Sequence, residues 1–509
     1  MRKVVIDGET LTIEDVIAVA RRNAIVTIPR ETEKKVKKSR EILERLKERK
    51  AIYGVNTGFG AFGNIAIAAE DIKELQVNLI RSHSSGVGNP LKKDVTRALM
   101  LLRANTLAKG YSGVRLKIVQ TLIQMLNKGV HPIIPEKGSV GASGDLAPLS
   151  HMVLVMIGEG KAEYDRQVLG GKDAMSKANI ATVSLDAKEG VALNNGTQMM
   201  TAIAALAIYD ARNLMKTAEV AAALSLEALC GIVDAFDDKI HRVRPHEGQK
   251  KAAANIRRLI TGSKLVKSSE EAIKANGYPQ DPYSLRCIPQ VFGSIHDTIG
   301  YVKKIVGIEI NSATDNPLVF PKTEACLSGG NFHGQPISAA MDFLAIALAT
   351  LGNFSERRTA RLVDANLSRG LPPFLIPEVD KKGLQSGFMT LQYTAAALAS
   401  ENKSLAHPAS VDSIPTSANY EDFVSMGPIA ARKTADILYN TEYIVAIELL
   451  SAAQGLEFRE IDKLGKLTRK AYDIVRGKVP SLTKDRAMDE DIQIVRNLIH
   501  SETFSNLVP

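Results

Sequence analysis

The sequence predicts a mainly α-helical fold, a bundle of long helices preceded by a loop-rich N-terminal region. Three observations carry this expectation. Apolar residues recur three or four positions apart over long stretches, the spacing of a helix that buries one face. Alternating strand patterns are few. Glycine crowds into two short stretches, 53–63 (YGVNTGFGAFG) and 138–144 (GSVGASG), whose flanks carry residues that should pack rather than trail as a polar linker. In chain order, helical spacing covers 70–80, 95–109, 115–128, 191–229, 334–364 and 389–405. The two glycine-rich stretches fall between these elements and read as ordered functional loops. Beyond residue 190 the texture changes to Ala- and Leu-rich segments such as AAALSLEAL and TAAALASENKSL, whose small residues allow close helix packing. The expected division is therefore a mixed region 1–190 and a helical-bundle region 191–509.

Composition narrows the function classes. With 509 residues, 45% hydrophobic and 24% charged, the chain can bury a large core and is neither disordered nor fibrous. The net charge of +9 could suggest nucleic acid, but the basic run 30–50 is interleaved with glutamates and carries no alternating aromatics, so it reads as a solvated helix face. Asp7 and Glu9 interrupt the N-terminus before any signal-peptide core could develop. The most apolar segment, 343–354 (FLAIALATLGNF), is shorter than the roughly eighteen residues a membrane span needs, and is expected as a buried helix. Three cysteines, Cys230, Cys287 and Cys326, are odd in number and far apart, which points to a reducing, cytoplasmic setting.

Several familiar chemistries fail on spacing. Gly58, Gly60 and Gly63 satisfy G-x-G-x-x-G, but the position about twenty residues on, where a dinucleotide site wants an acid, is His83, and no βαβ pattern surrounds it. Ser143 sits in GASGD, where a nucleophile elbow would need glycine in place of Asp145. His241 and His246 do not stack on one helical face, so no nucleotide or metal cofactor is expected. What remains is 138–152, GSVGASGDLAPLSHM. Gly144 leaves its amide nitrogen unhindered and tolerates strained dihedrals, so a bent backbone could bring that nitrogen onto the Ala142 carbonyl carbon. Loss of water from the ring and from Ser143 would then leave an exocyclic methylidene. Asp145 precedes an apolar helix pattern, whose positive end would make such a group more electron-poor.

The chain resembles the histidine ammonia-lyase family, within the aromatic amino acid ammonia-lyases and aminomutases that carry a methylidene-imidazolone (MIO) group. The matching segments are YGVNTGFG at 53–60, RSHSSGVG at 81–88, GSVGASGDLAPLSHM at 138–152, LNNGTQ at 193–198, QDPYSLRC at 280–287, TDNPLVF at 314–320, SGGNFHG at 328–334, LPPFL at 371–375, SGFM at 386–389 and SANYEDFVSM at 417–426. The resemblance implies that Ala142, Ser143 and Gly144 form the MIO group, and that Tyr53 is the base for the β-proton. It implies further that Arg286 pairs with the substrate carboxylate. Asn195 and Tyr283 match residues around the prosthetic group and the amine, Gln280 the same polar shell, and Phe332 a ring packed beside it. His83, Met389 and Glu421 match positions around a histidine substrate's imidazole.

The implied activity is elimination of ammonia from L-histidine to give trans-urocanate in a homotetramer, with no nucleic-acid or membrane partner. Tyr420 and Phe423 stand where histidine enzymes commonly have Gln and His, and Gln335 where Glu is usual. These departures keep open a tyrosine or phenylalanine ammonia-lyase or a 2,3-aminomutase. From another class, an inactive structural or regulatory paralogue is the alternative, against which the intact Ala142-Ser143-Gly144, Tyr53 and Arg286 speak.

Overall fold

The computed structural model describes residues 2–377 and 383–508. Helix dominates, and the chain forms two compact units. The first takes the chain through Tyr209 together with Lys303–Asp342 and Pro408–Arg432; the second takes Asp210–Val302, Phe343–His407 and the chain from Lys433 on.

The first unit joins helices to short sheets. Thr12 begins the helix Ile13–Arg22 with a capping box, its side chain accepting from Asp15 N while Asp15 reaches back. Lys3–Val5 pairs in parallel with Ile25–Thr27. Lys161–Tyr164 and Gln167–Gly170 form a hairpin whose two turn residues, Asp165 and Arg166, have φ of +49° and +62°, the sign a tight antiparallel turn requires. The expected helices appear as Ile72–His83, Lys93–Ala108 and Leu116–Lys128, the last ending on Gly129 in the left-handed conformation. In the basic helix Arg30–Lys47 most cations are solvated, but Arg40 is buried and donates to the carbonyls of Gly113 and Ala187.

The span 191–229 is not one helix. It divides into Glu189–Asn194 and Gln198–Ala228, separated by Asn195, Gly196 and Thr197. Polar partners hold the break open. The Gly196 carbonyl accepts from Asp145 N at 2.6 Å, and Thr197 Oγ1 donates to Glu309 Oε1 at 2.6 Å. Arg103, fully buried, donates to Gln198 Oε1 at 2.8 Å and to the Ala192 carbonyl. Beside this network Lys188 and Asp315, with side chains fully buried, pair at 2.7 Å.

In the second unit Glu448 is the buried acceptor that fixes helix register. Its carboxylate takes Arg358 Nε and Nη2, with Ser225 Oγ at 2.8 Å and Ser355 Oγ at 2.6 Å. The Arg358 guanidinium also lies over the Phe292 and Phe354 rings, at 5.3 and 4.9 Å. The apolar segment 343–354 lies within the 29-residue helix Gln335–Val363, which by length and composition is apolar enough to cross a membrane. It is not buried all round as expected. Leu344, Leu348 and Leu351 are fully covered, while Phe343 and Ile346 are 50% and 46% exposed on a groove shared with Tyr301.

Removing one member of the Lys188–Asp315 pair strands a buried charge. Asp315→Ala should therefore cost about 3–5 kcal/mol, and the double change Lys188→Met with Asp315→Leu much less. Thermal melts of the two variants check this, and a double variant melting lower than Asp315→Ala would refute the pairing.

Candidate active site

A cavity of about 560 Å3 opens in the first unit, and Tyr53, His83, Ala142, Ser143, Asn195, Phe332 and Glu421 all line it. Tyr53 comes from the glycine-rich loop 53–63. Its Oη accepts the Gly60 amide hydrogen at 2.8 Å, and Phe59 meets the ring edge-on at 6.2 Å. Gly60 has φ +55°, a conformation that favours glycine, and a Cβ at Gly63 would stand 3.1 Å from the Tyr53 ring, a tight contact. These glycines leave room for an aromatic ring at the cavity wall. Burial pushes the Tyr53 hydroxyl above its ordinary pKa, against the pull of the Gly60 amide; the charges of Tyr420 and Glu421 push the same way as burial. His83 ends the helix Ile72–His83, and burial lowers its pKa, so the ring is neutral at pH 7.

The Ala142-Ser143-Gly144 loop is pinned from several sides. Met426 N donates to Val140 O at 2.9 Å, Ser425 Oγ to Gly141 O at 3.0 Å, and Ser139 Oγ to Gly144 O at 3.2 Å. Gly144 has φ +73°, and a Cβ there would fall 2.2 Å from Gly196 O, so only glycine fits. Among the described residues, the Gly144 nitrogen and the Ala142 carbonyl have no hydrogen-bond partner. A nucleophile and an electrophile two residues apart are thus left unengaged in a loop with no room for a Cβ at Gly141 or Gly144, which fits the residues required for a ring closed between them.

Asp145 stands before the helix Leu146–Met156, as its sequence position suggested, but its carboxylate does not cap that helix. It accepts instead from Met199 N at 2.7 Å and Met200 N at 3.0 Å, in the first turn of Gln198–Ala228. Full burial raises its pKa to about 7, opposed by those two amides.

Asn195 lies in the helix break. Its Nδ2 donates to Asn316 O at 3.3 Å, and its Oδ1 is buried without a partner. Glu421 places one carboxylate oxygen on Ser143 Oγ at 2.7 Å and the other on Thr416 Oγ1 at 2.8 Å. Thr416 and Asn316 were not singled out in the sequence, because each acts through a single oxygen that no periodicity marks. Tyr420 and Phe423 also line the cavity, and Phe423 stacks on His333 at 6.0 Å. Gln335 instead donates to the Ser410 carbonyl at 3.3 Å.

Gln280, Tyr283, Arg286 and Met389 belong to the second unit. Tyr283 and Arg286 open and close the four-residue helix Tyr283–Arg286. Tyr283 is 68% exposed, and the Arg286 guanidinium lies over its ring at 4.5 Å while Nε donates to Asp281 O at 2.7 Å. Gln280 is exposed nearby in the chain, and Met389 begins the helix Met389–Leu405.

The aromatic amino acid lyase family model matches residues 11–477. Histidine ammonia-lyase of Caldanaerobacter subterraneus subsp. tengcongensis is 55% identical over 502 residues, covering 98% of this chain and 97% of its own. The solved structure of tyrosine aminomutase from Streptomyces globisporus matches with a TM-score of 0.95 at 41% identity, over 99% of this chain and 98% of that one. Histidine ammonia-lyase from Trypanosoma cruzi matches with a TM-score of 0.91 at 41% identity, over 100% and 95%.

Proposed function

The chain belongs to the aromatic amino acid lyase family, and we propose that it is a carbon–nitrogen lyase that eliminates ammonia from L-histidine to give trans-urocanate. One observation carries this reading: Ser143, in a loop suited to backbone cyclisation, shares a cavity with Tyr53, Asn195, His83 and Glu421. We assign Ala142, Ser143 and Gly144 as the precursor of the MIO group, which supplies an electrophile that makes the substrate's amine a good leaving group. The chain's own residues do the rest. Tyr53 Oη takes the β-proton, and the hydrogen bond it accepts from Gly60 N steadies the phenolate this requires. Asn195 Oδ1, unpaired in the cavity wall, accepts from the substrate's amine. Neutral His83 and the Glu421 carboxylate face the two polar nitrogens of an imidazole.

Gln280, Tyr283, Arg286 and Met389 complete the site in this reading, Arg286 by pairing with the substrate carboxylate through its planar fork. We propose a D2 homotetramer, with each site assembled from several copies of the chain. The exposed Phe343, Ile346 and Tyr301 of the second unit form the kind of apolar face that such an assembly covers. A cytoplasmic setting, resting on the odd cysteine count, is part of the same reading. The second reading, a tyrosine or phenylalanine lyase or aminomutase, draws on Tyr420 and Phe423 in the cavity wall.

Ammonia release from histidine, tyrosine and phenylalanine decides between the two readings, with histidine expected to lead in kcat/KM. Intact mass should show the chain lighter by two waters, and Ser143→Ala should abolish turnover; an unmodified, fully active chain would sink the MIO assignment. Tetramer and monomer are separated by sedimentation, and full activity in a dilute monomer would contradict shared sites. The Tyr53 hydroxyl is protonated at neutral pH because burial raises its pKa, so a base role makes kcat/KM climb with pH between about 7 and 9, by up to tenfold per unit. Tyr53→Phe should lower kcat about a hundredfold or more and flatten this rise, which a pH–rate profile of both proteins reads directly.

A further inference from the structure

Glu421 is engaged before any substrate arrives. Its Oε1 accepts the hydroxyl hydrogen of Ser143 at 2.7 Å, and Oε2 accepts that of Thr416 at 2.8 Å. The Thr416 and Glu421 backbones pair in both directions, at 3.0 and 3.3 Å. The intervening Ser417, Ala418 and Asn419 all take the left-handed conformation, with φ of +51°, +53° and +65°. Three successive residues with a Cβ held in that conformation are uphill, and the turn they make delivers one carboxylate onto one hydroxyl. Among the described residues Glu421 is the only side chain hydrogen-bonded to Ser143 Oγ, and the neighbouring carboxyl, Asp145, is turned away to Met199 N and Met200 N.

We propose that Glu421 is the general acid that removes the Ser143 hydroxyl during maturation, and that loss of this hydroxyl is what frees Glu421 for the substrate. The inference rests on the MIO reading above and deepens it. The first water of maturation takes the Ala142 carbonyl oxygen and the amide hydrogens of Ser143 and Gly144, as the Gly144 nitrogen bonds to the Ala142 carbonyl carbon. The second takes the Ser143 hydroxyl and its Cα hydrogen. In that step the Cα–H bond breaks as a proton passes to solvent, and its electron pair becomes the Cα=Cβ bond. The Cβ–Oγ bond breaks with its pair on oxygen, and Glu421 delivers the proton that makes this oxygen water. Glu421 takes this proton from solvent before the step, in place of the hydrogen it accepts at rest, and is left as the carboxylate; the Cα proton replaces the one solvent gave, so nothing is oxidised or reduced. Hydroxide is a poor leaving group, so the acid matters here, and a hydrogen-bonded carboxyl is placed to supply it. Once Oγ has gone, Oε1 has lost its partner and is left facing the cavity, where the proposed reaction needs an acceptor for the imidazole N–H. One carboxyl thus serves twice, in an order set by the chemistry.

The test follows newly synthesised full-length protein by intact mass over time. Wild type should lose two waters. Glu421→Gln, which keeps a polar partner on Oγ but has no proton to give, should accumulate a species lighter by one water and lose the second at least about a hundredfold more slowly. Adding Ser143→Cys to Glu421→Gln should restore maturation, with hydrogen sulfide leaving in place of the second water, because sulfide departs without acid assistance. Its maturation would also show that the Glu421→Gln chain folds. Glu421→Gln losing its second water at the wild-type rate would overturn the proposal. So would a Ser143→Cys, Glu421→Gln chain that stalls, since the glutamate would then be shaping the loop rather than donating a proton. A Glu421→Gln chain that matures normally yet fails on histidine overturns this step alone and leaves the lyase reading standing. A wild-type chain that loses no water overturns both.

Discussion

The carboxylate of Asp145, held by two backbone amides of a helix that begins more than fifty residues later, is the constraint on which the site depends. Together with the hydrogen bond from its own amide to Gly196, it ties the end of the Ala142-Ser143-Gly144 loop to the break between Glu189–Asn194 and Gln198–Ala228. Two helix N-termini therefore converge on the loop. Asp145 answers the positive end of Gln198–Ala228, and the N-terminus of Leu146–Met156 is left without a side-chain cap beside Gly144. That arrangement favours an electron-poor group there. Its cost is a fully buried carboxyl with one oxygen unpaired, and a pKa drawn up to about 7.

The break that Asp145 helps to hold is expensive to bury, and the residues around it supply partners. Gln198 accepts from Arg103 and donates to Thr106 and Thr314, while Thr197 donates to Glu309. Asp315, paired with Lys188, adjoins Asn316, whose carbonyl holds Asn195. Orientation of Asn195 thus depends on a polar network reaching well behind the cavity wall. Such a network admits one arrangement when satisfied, whereas an apolar packing of the same volume would tolerate several.

Helical class and most helix positions were legible because they follow from a periodicity that every turn repeats. Lys93–Ala108, Leu116–Lys128, Gln335–Val363 and Met389–Leu405 lie within a few residues of their expected spans. The interruption at Asn195–Thr197 was hidden because its flanks keep helical spacing, and the partners that hold the break, Asp145 and Glu309 among them, are remote in sequence. Asp145 itself shows the limit of local reasoning: its place before the helix Leu146–Met156 was legible, but a second helix end, remote in sequence, claims its side chain. The return of Lys303–Asp342 and Pro408–Arg432 to the unit that carries the Ala142-Ser143-Gly144 loop leaves no local signal at all. Among the site residues, Tyr53, His83, Asn195, Phe332 and Glu421 were marked by motifs and share the cavity wall with the loop. What Glu421 touches was not readable, since its partners Ser143 and Thr416 depend on a turn of three left-handed residues that contains no glycine.

The aromatic departures at 420 and 423 bear on which ring the cavity prefers. An imidazole offers a π face and two polar edge nitrogens. Tyr420 and Phe423 can cover the face, and Phe423 is backed by the stacked His333 ring. In the histidine reading proposed above, Glu421 and His83 supply partners for the edge. A phenyl ring meets the same face equally well, but would leave Glu421 Oε1, once the Ser143 hydroxyl has gone, with nothing to accept from, at a cost of about 1–3 kcal/mol for each polar group so stranded. Discrimination of this kind is asymmetric: a wall of aromatic surface gains little by rejecting one flat ring for another, whereas an unpaired acceptor rejects strongly. On the proposed reading the polar edge decides the substrate, and aromatic replacements on the face are compatible with histidine once loss of the Ser143 hydroxyl frees Glu421 Oε1 toward the cavity.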